Sequence, residues 1–101
     1  MSHFVVMVEL TIEPAKRVAF DAELKALATA SRHEAGCLSY EVFQHSSDPT
    51  RTLIYEKWSS RSSWNAHLNT DHLQIFKSIA IPDLATWSVE KMAVESPENW
   101  T

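Results

Sequence analysis

The chain of 101 residues contains few of the residues that interrupt or cross-link a fold, with one glycine, four prolines and one cysteine. So little glycine and proline excludes collagen-like repeats and flexible linker arrays, and an apolar share of 45% argues against disorder. The single cysteine, Cys37, excludes an intramolecular disulfide framework and is compatible with a reducing compartment. We expect one domain over residues 1–101, with residues 96–101 as a tail.

The sequence also lacks a long apolar run and a basic stripe. No uninterrupted apolar stretch approaches the length of a membrane span, and the N-terminus has no charged region followed by an apolar signal core. The nine Lys and Arg residues are scattered, and the formal net charge is −4. Phosphate binding along a nucleic acid is therefore disfavoured. We expect a cytoplasmic protein with neither nucleic acid nor membrane among its partners.

Hydrophobic periodicity predicts strands and helices in alternation. Phe4–Ile12 is rich in β-branched residues and predicts a strand that is apolar on both faces. A helix is expected from Glu13-Pro14 to about Arg32, and Gly36 is expected to provide the left-handed residue after it. Alternation from Leu38 to Phe43, and again over Thr52–Trp58, predicts a hairpin with a loop.

The second half repeats the order of helix and strand. Ser59 or Ser60 can cap a helix that carries Trp64 and His67, and Thr70 can cap a following turn or helix that carries His72. The pattern leaves open one kinked helix or two short ones. Thr86–Val94 predicts a last strand. The resulting order βαββαβ is that of the ferredoxin-like α+β fold, an antiparallel sheet with helices on one face.

Such a sheet leaves its other face uncovered. Strand one is apolar on both faces, and Phe43, Ile54 and Trp58 are expected to add apolar surface there. A monomer avoids exposing a patch of this kind. We therefore predict a homodimer that buries the same sheet face from both subunits, with Trp100 of the tail reaching across.

Three segments, taken in order, resemble the successive motifs of the antibiotic biosynthesis monooxygenase (ABM) superfamily. They are Glu34–Tyr40 (EAGCLSY), Tyr55–Ser60 (YEKWSS) and His67–His72 (HLNTDH). The resemblance covers nearly the whole chain. It implies a dimeric ferredoxin-like α+β barrel, and often the oxidation of quinol-like or polyketide aromatics by O2 without metal or flavin. It does not fix the substrate.

Candidate site residues gather in Tyr55–His72. Glu56 and Trp58 are two apart on a predicted strand, so a carboxylate and an indole lie on one face, as an aromatic pocket requires. The alternative is that Trp58 belongs to the core or interface and that Glu56 pairs with a Lys or Arg. His67 and His72 would lie about 140° apart on one continuous helix. They converge only if the helix breaks near Asn69-Thr70.

Cofactor-free oxygenation requires a base, a dry cavity and donors to a developing oxyanion. Either His67 or His72 can be the base, because the ordinary pKa of imidazole lies near neutrality. Trp58 and Phe43 are the candidate walls, and Asn65 or Tyr40 the candidate donors. Structural roles are the plain alternative for each. The expected partners are a small aromatic substrate and O2.

Other chemistries are weaker. His67, His72 and Glu56 together form the donor set of an iron triad, but their spacing matches no standard helical metal motif. Haem-degrading members of the superfamily differ from this chain at three positions, where it has Val8, His67 and Lys77. We therefore predict no cofactor and no metal. Two alternatives to the monooxygenase remain, an isomerase of a small phosphorylated signalling metabolite and a non-catalytic dimeric ligand-binding module.

Overall fold

The computed structural model describes residues 3–83, 85–88 and 94–95. Its elements are β1 (Phe4–Ile12), a 3-10 turn (Pro14–Lys16), α1 (Arg17–Arg32), β2 (Cys37–Gln44), β3 (Arg51–Trp58), α2 (Arg61–Leu68), α3 (Asp71–Asp83), β4 (Ala85–Ser88) and β5 (Val94–Glu95). The predicted ferredoxin-like order is confirmed, and of the two alternatives for the second helical segment the structure has two separate helices, α2 and α3. Within the described residues, no helix has both the length and the apolarity that crossing a membrane requires.

The sheet is antiparallel, with strand order β2-β3-β1-β4, and β5 also pairs with β1. Placing β1 and β3 in the middle is the ferredoxin-like arrangement. The predicted last strand, Thr86–Val94, corresponds to β4 and the start of β5. Residues 89–93 and the tail residue Trp100 lie outside the described residues, so the predicted reach of Trp100 does too.

The core lies between the sheet and the helices. The even-numbered residues of β1 are all buried, because alternate side chains of a strand point to one face. α1 presents Phe20, Leu24 and Leu27 to that face at helical spacing. Phe20 meets Phe76 of α3 edge to face, with 6.0 Å between ring centroids. Full burial of each large apolar side chain contributes about 1.5–3 kcal/mol.

The outer face of the sheet differs from the prediction. Ile54 and Trp58 are buried on the inner, helix-covered face, so they add nothing to the uncovered one. Phe43 does lie on the outer side, with 54% of its surface exposed. The apolar residues of β1 and β3 on the same face are half-buried. They are Val5, Met7, Leu53 and Tyr55. The face also carries a cross-strand ion pair between Arg51 and Glu9.

Gly36 connects α1 to β2 with a φ of +84°, as its position after the helix predicts. Its carbonyl accepts a hydrogen bond from the Ser59 amide, 2.7 Å away, so the start of β2 is tied to the end of β3. A Cβ atom at Gly36 would overlap the side chain of Ser63 and lie 2.7 Å from Ser59 Oγ. Both the dihedral angle and the space therefore require glycine.

We predict that Gly36→Ala lowers the free energy of unfolding by at least about 2 kcal/mol. The left-handed conformation alone costs an L-residue about 1–2 kcal/mol, and the overlap with Ser63 adds to it. Urea denaturation followed by circular dichroism measures the change. Ala35→Gly, at the exposed neighbouring position, is the control and should cost less than about 1 kcal/mol. Equal losses in the two variants would contradict this role of Gly36.

Candidate functional site

A cavity of about 470 Å³ lies between the inner face of the sheet and the helices. It is lined by Val6, Val8, Leu27, Tyr40, Ile54, Glu56, Trp64, His67, Leu68, Leu73, Phe76 and Lys77. Most of these side chains are apolar or aromatic, and the ionisable ones are a carboxylate, an imidazole, an amine and the phenol of Tyr40. A largely apolar cavity with a few convergent polar groups is the usual form of a small-molecule site.

A break between α2 and α3 shapes one side of this site. Ser60 caps α2 by accepting a hydrogen bond from the Ser63 amide. The helix ends at Leu68, and the Thr70 hydroxyl donates to the His67 carbonyl over 2.7 Å before α3 begins at Asp71. The two histidines therefore lie on different helices and can turn towards one point. The conditional prediction that a break would bring them together is confirmed.

That point is the carboxylate of Glu34, just after the end of α1. Its Oε2 lies 2.6 Å from His67 Nδ1 and 2.7 Å from His72 Nε2. An ionised carboxylate only accepts hydrogen bonds, so each imidazole donates from the nitrogen that faces it. A neutral His67 then carries its proton on Nδ1 and has a lone pair on Nε2.

His67 is buried, and burial lowers the pKa of its imidazole. The hydrogen bond to Glu34 and the charge of Glu34 oppose this shift but do not cancel it. Trp58 packs against the ring, with 4.7 Å between centroids, and fixes its plane. At neutral pH, His67 is therefore an uncharged imidazole held in one orientation, as a general base requires.

Glu56 lies on β3, opposite Val6 of β1 and Tyr40 of β2. Only 3% of its surface is exposed, and burial raises the pKa of its carboxyl to about 7. The Trp58 indole donates to Glu56 Oε1 over 3.1 Å and offsets part of the increase, whereas the charge of Glu34 adds to it. The predicted shared face of Glu56 and Trp58 is confirmed.

Glu56 Oε1 and His67 Nε2 are 3.7 Å apart. This separation exceeds a normal hydrogen bond, so neither atom is committed to the other. Both residues line the cavity. A carboxyl with a pKa of about 7 and a neutral imidazole therefore stand side by side at an apolar pocket, an arrangement found where proton transfer is catalysed.

The other predicted site residues are placed in different ways. Tyr40 lines the cavity, and burial raises the pKa of its phenol well above the usual value, so the hydroxyl stays protonated and can donate. Trp58 lies behind Glu56 and His67 and is no cavity wall. The structure does not bring Phe43 or Asn65 to the site, since both are exposed to solvent.

Three residues of the site were not predicted from the sequence to belong to it. Trp64 supplies the aromatic wall expected of Trp58, and Lys77 supplies the one amine among the lining residues. Glu34, which links the two histidines, is separated from them by 33 and 38 positions. Its place in the segment Glu34–Tyr40 was the only available signal, and that segment does not reveal what the carboxylate contacts.

The donor atoms of Glu34, His67 and His72 all lie within 4.8 Å of one another. The triad considered from the sequence contained both histidines but had Glu56 as its carboxylate. Glu34 takes that place, because it is the carboxylate that approaches both rings. Glu56 instead faces the cavity.

Comparison with known proteins identifies the family. The profile of the family described as antibiotic biosynthesis monooxygenase (ABM) matches residues 3–78. The chain belongs to this family. It is 30% identical over 67 residues to YcnE of Bacillus subtilis, whose name describes a candidate monooxygenase, covering 66% of this chain and 70% of that one. The solved structure of Rv0793 from Mycobacterium tuberculosis superposes with a TM-score of 0.85 at 25% identity, covering 99% and 100% of the two chains.

A longer human relative shares only this domain-sized segment. N-terminal EF-hand calcium-binding protein 1 of Homo sapiens is 33% identical over 67 residues, which are 66% of this chain. The match spans 19% of the length of that relative.

We predict that Glu56 makes the protein less stable as the pH rises. Below pH 4.5, which is about the pKa of this carboxyl in the unfolded chain, the carboxyl is protonated in both the folded and the unfolded state. Its ionisation then does not change the free energy of unfolding. Between 4.5 and about 7 only the unfolded chain loses the proton, so the folded state is disfavoured, and the penalty is complete above pH 7. A shift of this size corresponds to roughly 3 kcal/mol.

Urea denaturation of the wild type and of Glu56→Gln between pH 4.5 and 8 measures this penalty. Relative to the variant, the wild type should lose stability by roughly 2–3 kcal/mol across the interval. The lowered pKa of His67 has the opposite sign, because it disfavours folding at acidic pH, but His67 is present in both proteins. A stability difference that does not change with pH would show that Glu56 ionises normally.

Proposed function

We propose that this protein is a monooxygenase that oxidises a quinol or another hydroxylated aromatic with O2 and without metal or flavin. Membership of the ABM family supports the reaction class. The observation that carries the proposal is the dyad of Glu34 and His67, which leaves the Nε2 lone pair of a neutral histidine at an apolar cavity. A cavity of about 470 Å³ has the size of a small-molecule site.

In the first step, His67 Nε2 accepts the proton of a substrate hydroxyl. Glu34 acts through Nδ1 of His67. It fixes the tautomer of the imidazole and stabilises the imidazolium, as the aspartate of a Ser-His-Asp triad does. Tyr40 lines the same cavity, and its hydroxyl is the donor that we assign to the new oxyanion. The apolar walls keep water from quenching the electron-rich anion.

In the second step, the substrate anion donates an electron to O2, and the two radicals combine into a hydroperoxide at a ring carbon. Loss of water then leaves a carbonyl. One oxygen atom of O2 remains in the product and the other leaves as water, and the substrate supplies all four electrons, two to each oxygen atom. The proton held by His67 returns to the leaving hydroxide. For a quinol, quinol plus O2 gives a hydroxyquinone plus water.

The isomerase remains a second candidate because of one feature, the proximity of Glu56 Oε1 to His67 Nε2 at 3.7 Å. A carboxyl with a pKa of about 7 and a neutral imidazole can remove a proton from one carbon and deliver one to its neighbour. This chemistry requires no O2. It exchanges substrate hydrogen with solvent, which distinguishes it from oxygenation.

We predict that His67→Gln, which keeps a polar side chain of similar size at this buried position, impairs the reaction. With 1,4-dihydroxynaphthalene as the probe, the wild type should consume O2 and form the hydroxyquinone, and His67→Gln should be slower by about 10²–10⁴-fold, the usual contribution of a general base. An oxygen electrode and mass spectrometry of the product measure this. ¹⁸O₂ should label the product once.

His33→Ala is the matched control, because His33 is exposed and adjacent to Glu34. This variant should keep the wild-type rate. Substrate turnover that persists without O2, with deuterium incorporated from solvent, would replace the monooxygenase by the isomerase. If His67→Gln keeps full activity, His67 is not the general base.

We also propose a homodimer through the outer face of the sheet, where Phe43, Leu53, Tyr55, Val5 and Met7 lie together. Leu53→Glu places a charge in that face and should shift the protein to monomers, because an unpaired charge is costly in an interface. Light scattering after size exclusion measures the mass. Val18→Glu is the control, since Val18 on α1 is 85% exposed, and it should leave the mass unchanged. A monomeric wild type would refute the dimer.

A further inference from the structure

We propose that Glu34, His67 and His72 bind one divalent first-row transition ion, for which zinc is the test ion, and that this ion inhibits the enzyme. The binding part stands on the geometry alone. The inhibitory part rests on the proposed function, because it assumes that His67 Nε2 is the base.

The three donors suit such an ion in number and kind. Two imidazole nitrogens and one carboxylate oxygen are ligands that zinc and its neighbours accept, and three protein ligands leave a position for water. The donors come from three places in the chain: the residues after α1, the end of α2 and the start of α3. Their convergence therefore results from the tertiary fold and not from the regular spacing of residues along one helix.

The spacing requires a small rearrangement of the cluster. Donors about 2.0–2.2 Å from a tetrahedral ion lie roughly 3.3 Å from one another. Glu34 Oε2 is 2.6 Å and 2.7 Å from the two nitrogens, which are hydrogen-bond distances. Glu34 Oε2 has to recede by roughly 0.7 Å, and the two imidazole nitrogens, which lie within 4.8 Å of each other, have to stand roughly 3.3 Å apart. Rotation of these side chains replaces two hydrogen bonds by two metal bonds. Glu34 lies outside the helices and strands, which favours this adjustment.

An ion can reach the cluster from the side of His72. The side chain of His72 is 29% exposed, that of Glu34 is 13% exposed and that of His67 is 3% exposed. The site is therefore shielded at His67 and open at His72. Among the described residues, the ion pairs of Glu34 are those with these two histidines, so no Lys or Arg has to be displaced.

Metal binding and base catalysis at His67 exclude each other. A metal on Nδ1 uses the lone pair of that nitrogen, so a neutral imidazole must carry its proton on Nε2. The hydrogen-bonded dyad has the opposite arrangement, with the proton on Nδ1 and the lone pair on Nε2. An ion at this site would therefore convert the atom that accepts the substrate proton into a donor.

Isothermal titration of zinc into the tag-free protein tests the binding. We expect one ion per chain in the wild type and in His33→Ala. Affinity should fall at least about tenfold in His72→Ala and in Glu34→Gln, since each loses one of three ligands. Both positions are partly exposed, and circular dichroism verifies that the variants fold. Unchanged affinity in both variants, or absence of wild-type binding at millimolar zinc, would overturn the site.

The O2-uptake assay with 1,4-dihydroxynaphthalene tests the inhibition. Zinc should abolish the activity of the wild type at the concentration that fills the site, and EDTA should restore it. If EDTA abolishes the activity of the enzyme as isolated and an added ion restores it, the proposal that the ion inhibits the enzyme is overturned. The ion would then be a cofactor. If no O2 is consumed under any condition, the proposed function fails, and the titration still decides whether the site exists.

Discussion

One carboxylate oxygen that accepts hydrogen bonds from two imidazoles holds the candidate site together. Glu34 Oε2 joins the end of α1 to α2 through His67 and to α3 through His72. This contact requires that α1 end where it does, that Gly36 turn the chain into β2, and that the second helix break after Leu68. The features of the fold nearest to the site therefore serve to bring three polar side chains to one point.

Burial gives the two proton-carrying groups opposite pKa shifts. It disfavours a charged imidazole at His67 and a charged carboxylate at Glu56, so near neutral pH the imidazole of His67 is neutral and the carboxyl of Glu56 is partly protonated. Buried polar groups are costly without partners. Glu34 compensates His67, and the Trp58 indole compensates Glu56. At His67 the partner binds Nδ1, so Nε2 remains available to a substrate, whereas at Glu56 the indole binds Oε1, the same oxygen that faces His67.

The sequence predicts the fold and part of the site because both follow from local periodicity. Alternation in β1 and β3, the helical spacing in α1 and the glycine after it determine the βαββαβ order. Glu56 with Trp58 follows from strand parity. The same parity excludes Phe43 as a companion of Tyr40, since residues three apart on a strand face opposite sides. Asn65 is one residue after Trp64 and therefore about 100° away from the buried side of α2.

What the sequence does not predict are contacts between distant segments. Nothing local indicates that Glu34 meets His67 or that Trp64, not Trp58, walls the cavity, because both depend on how α2 sits over the sheet. The helix break could be stated only as a condition for the histidines to converge. Tertiary packing therefore decides which carboxylate pairs with the histidines. The same packing decides whether Glu56 is a candidate metal ligand or a carboxyl that transfers protons.

The position of the proton on His67 tests this account most directly. Long-range ¹⁵N–¹H correlation NMR near neutral pH distinguishes the two neutral tautomers of the imidazole. We predict that His67 is neutral with its proton on Nδ1, and that Glu34→Gln changes this tautomer. A proton on Nε2 in the wild type, or a tautomer that does not respond to Glu34→Gln, would contradict the claim that Glu34 prepares His67 as the base.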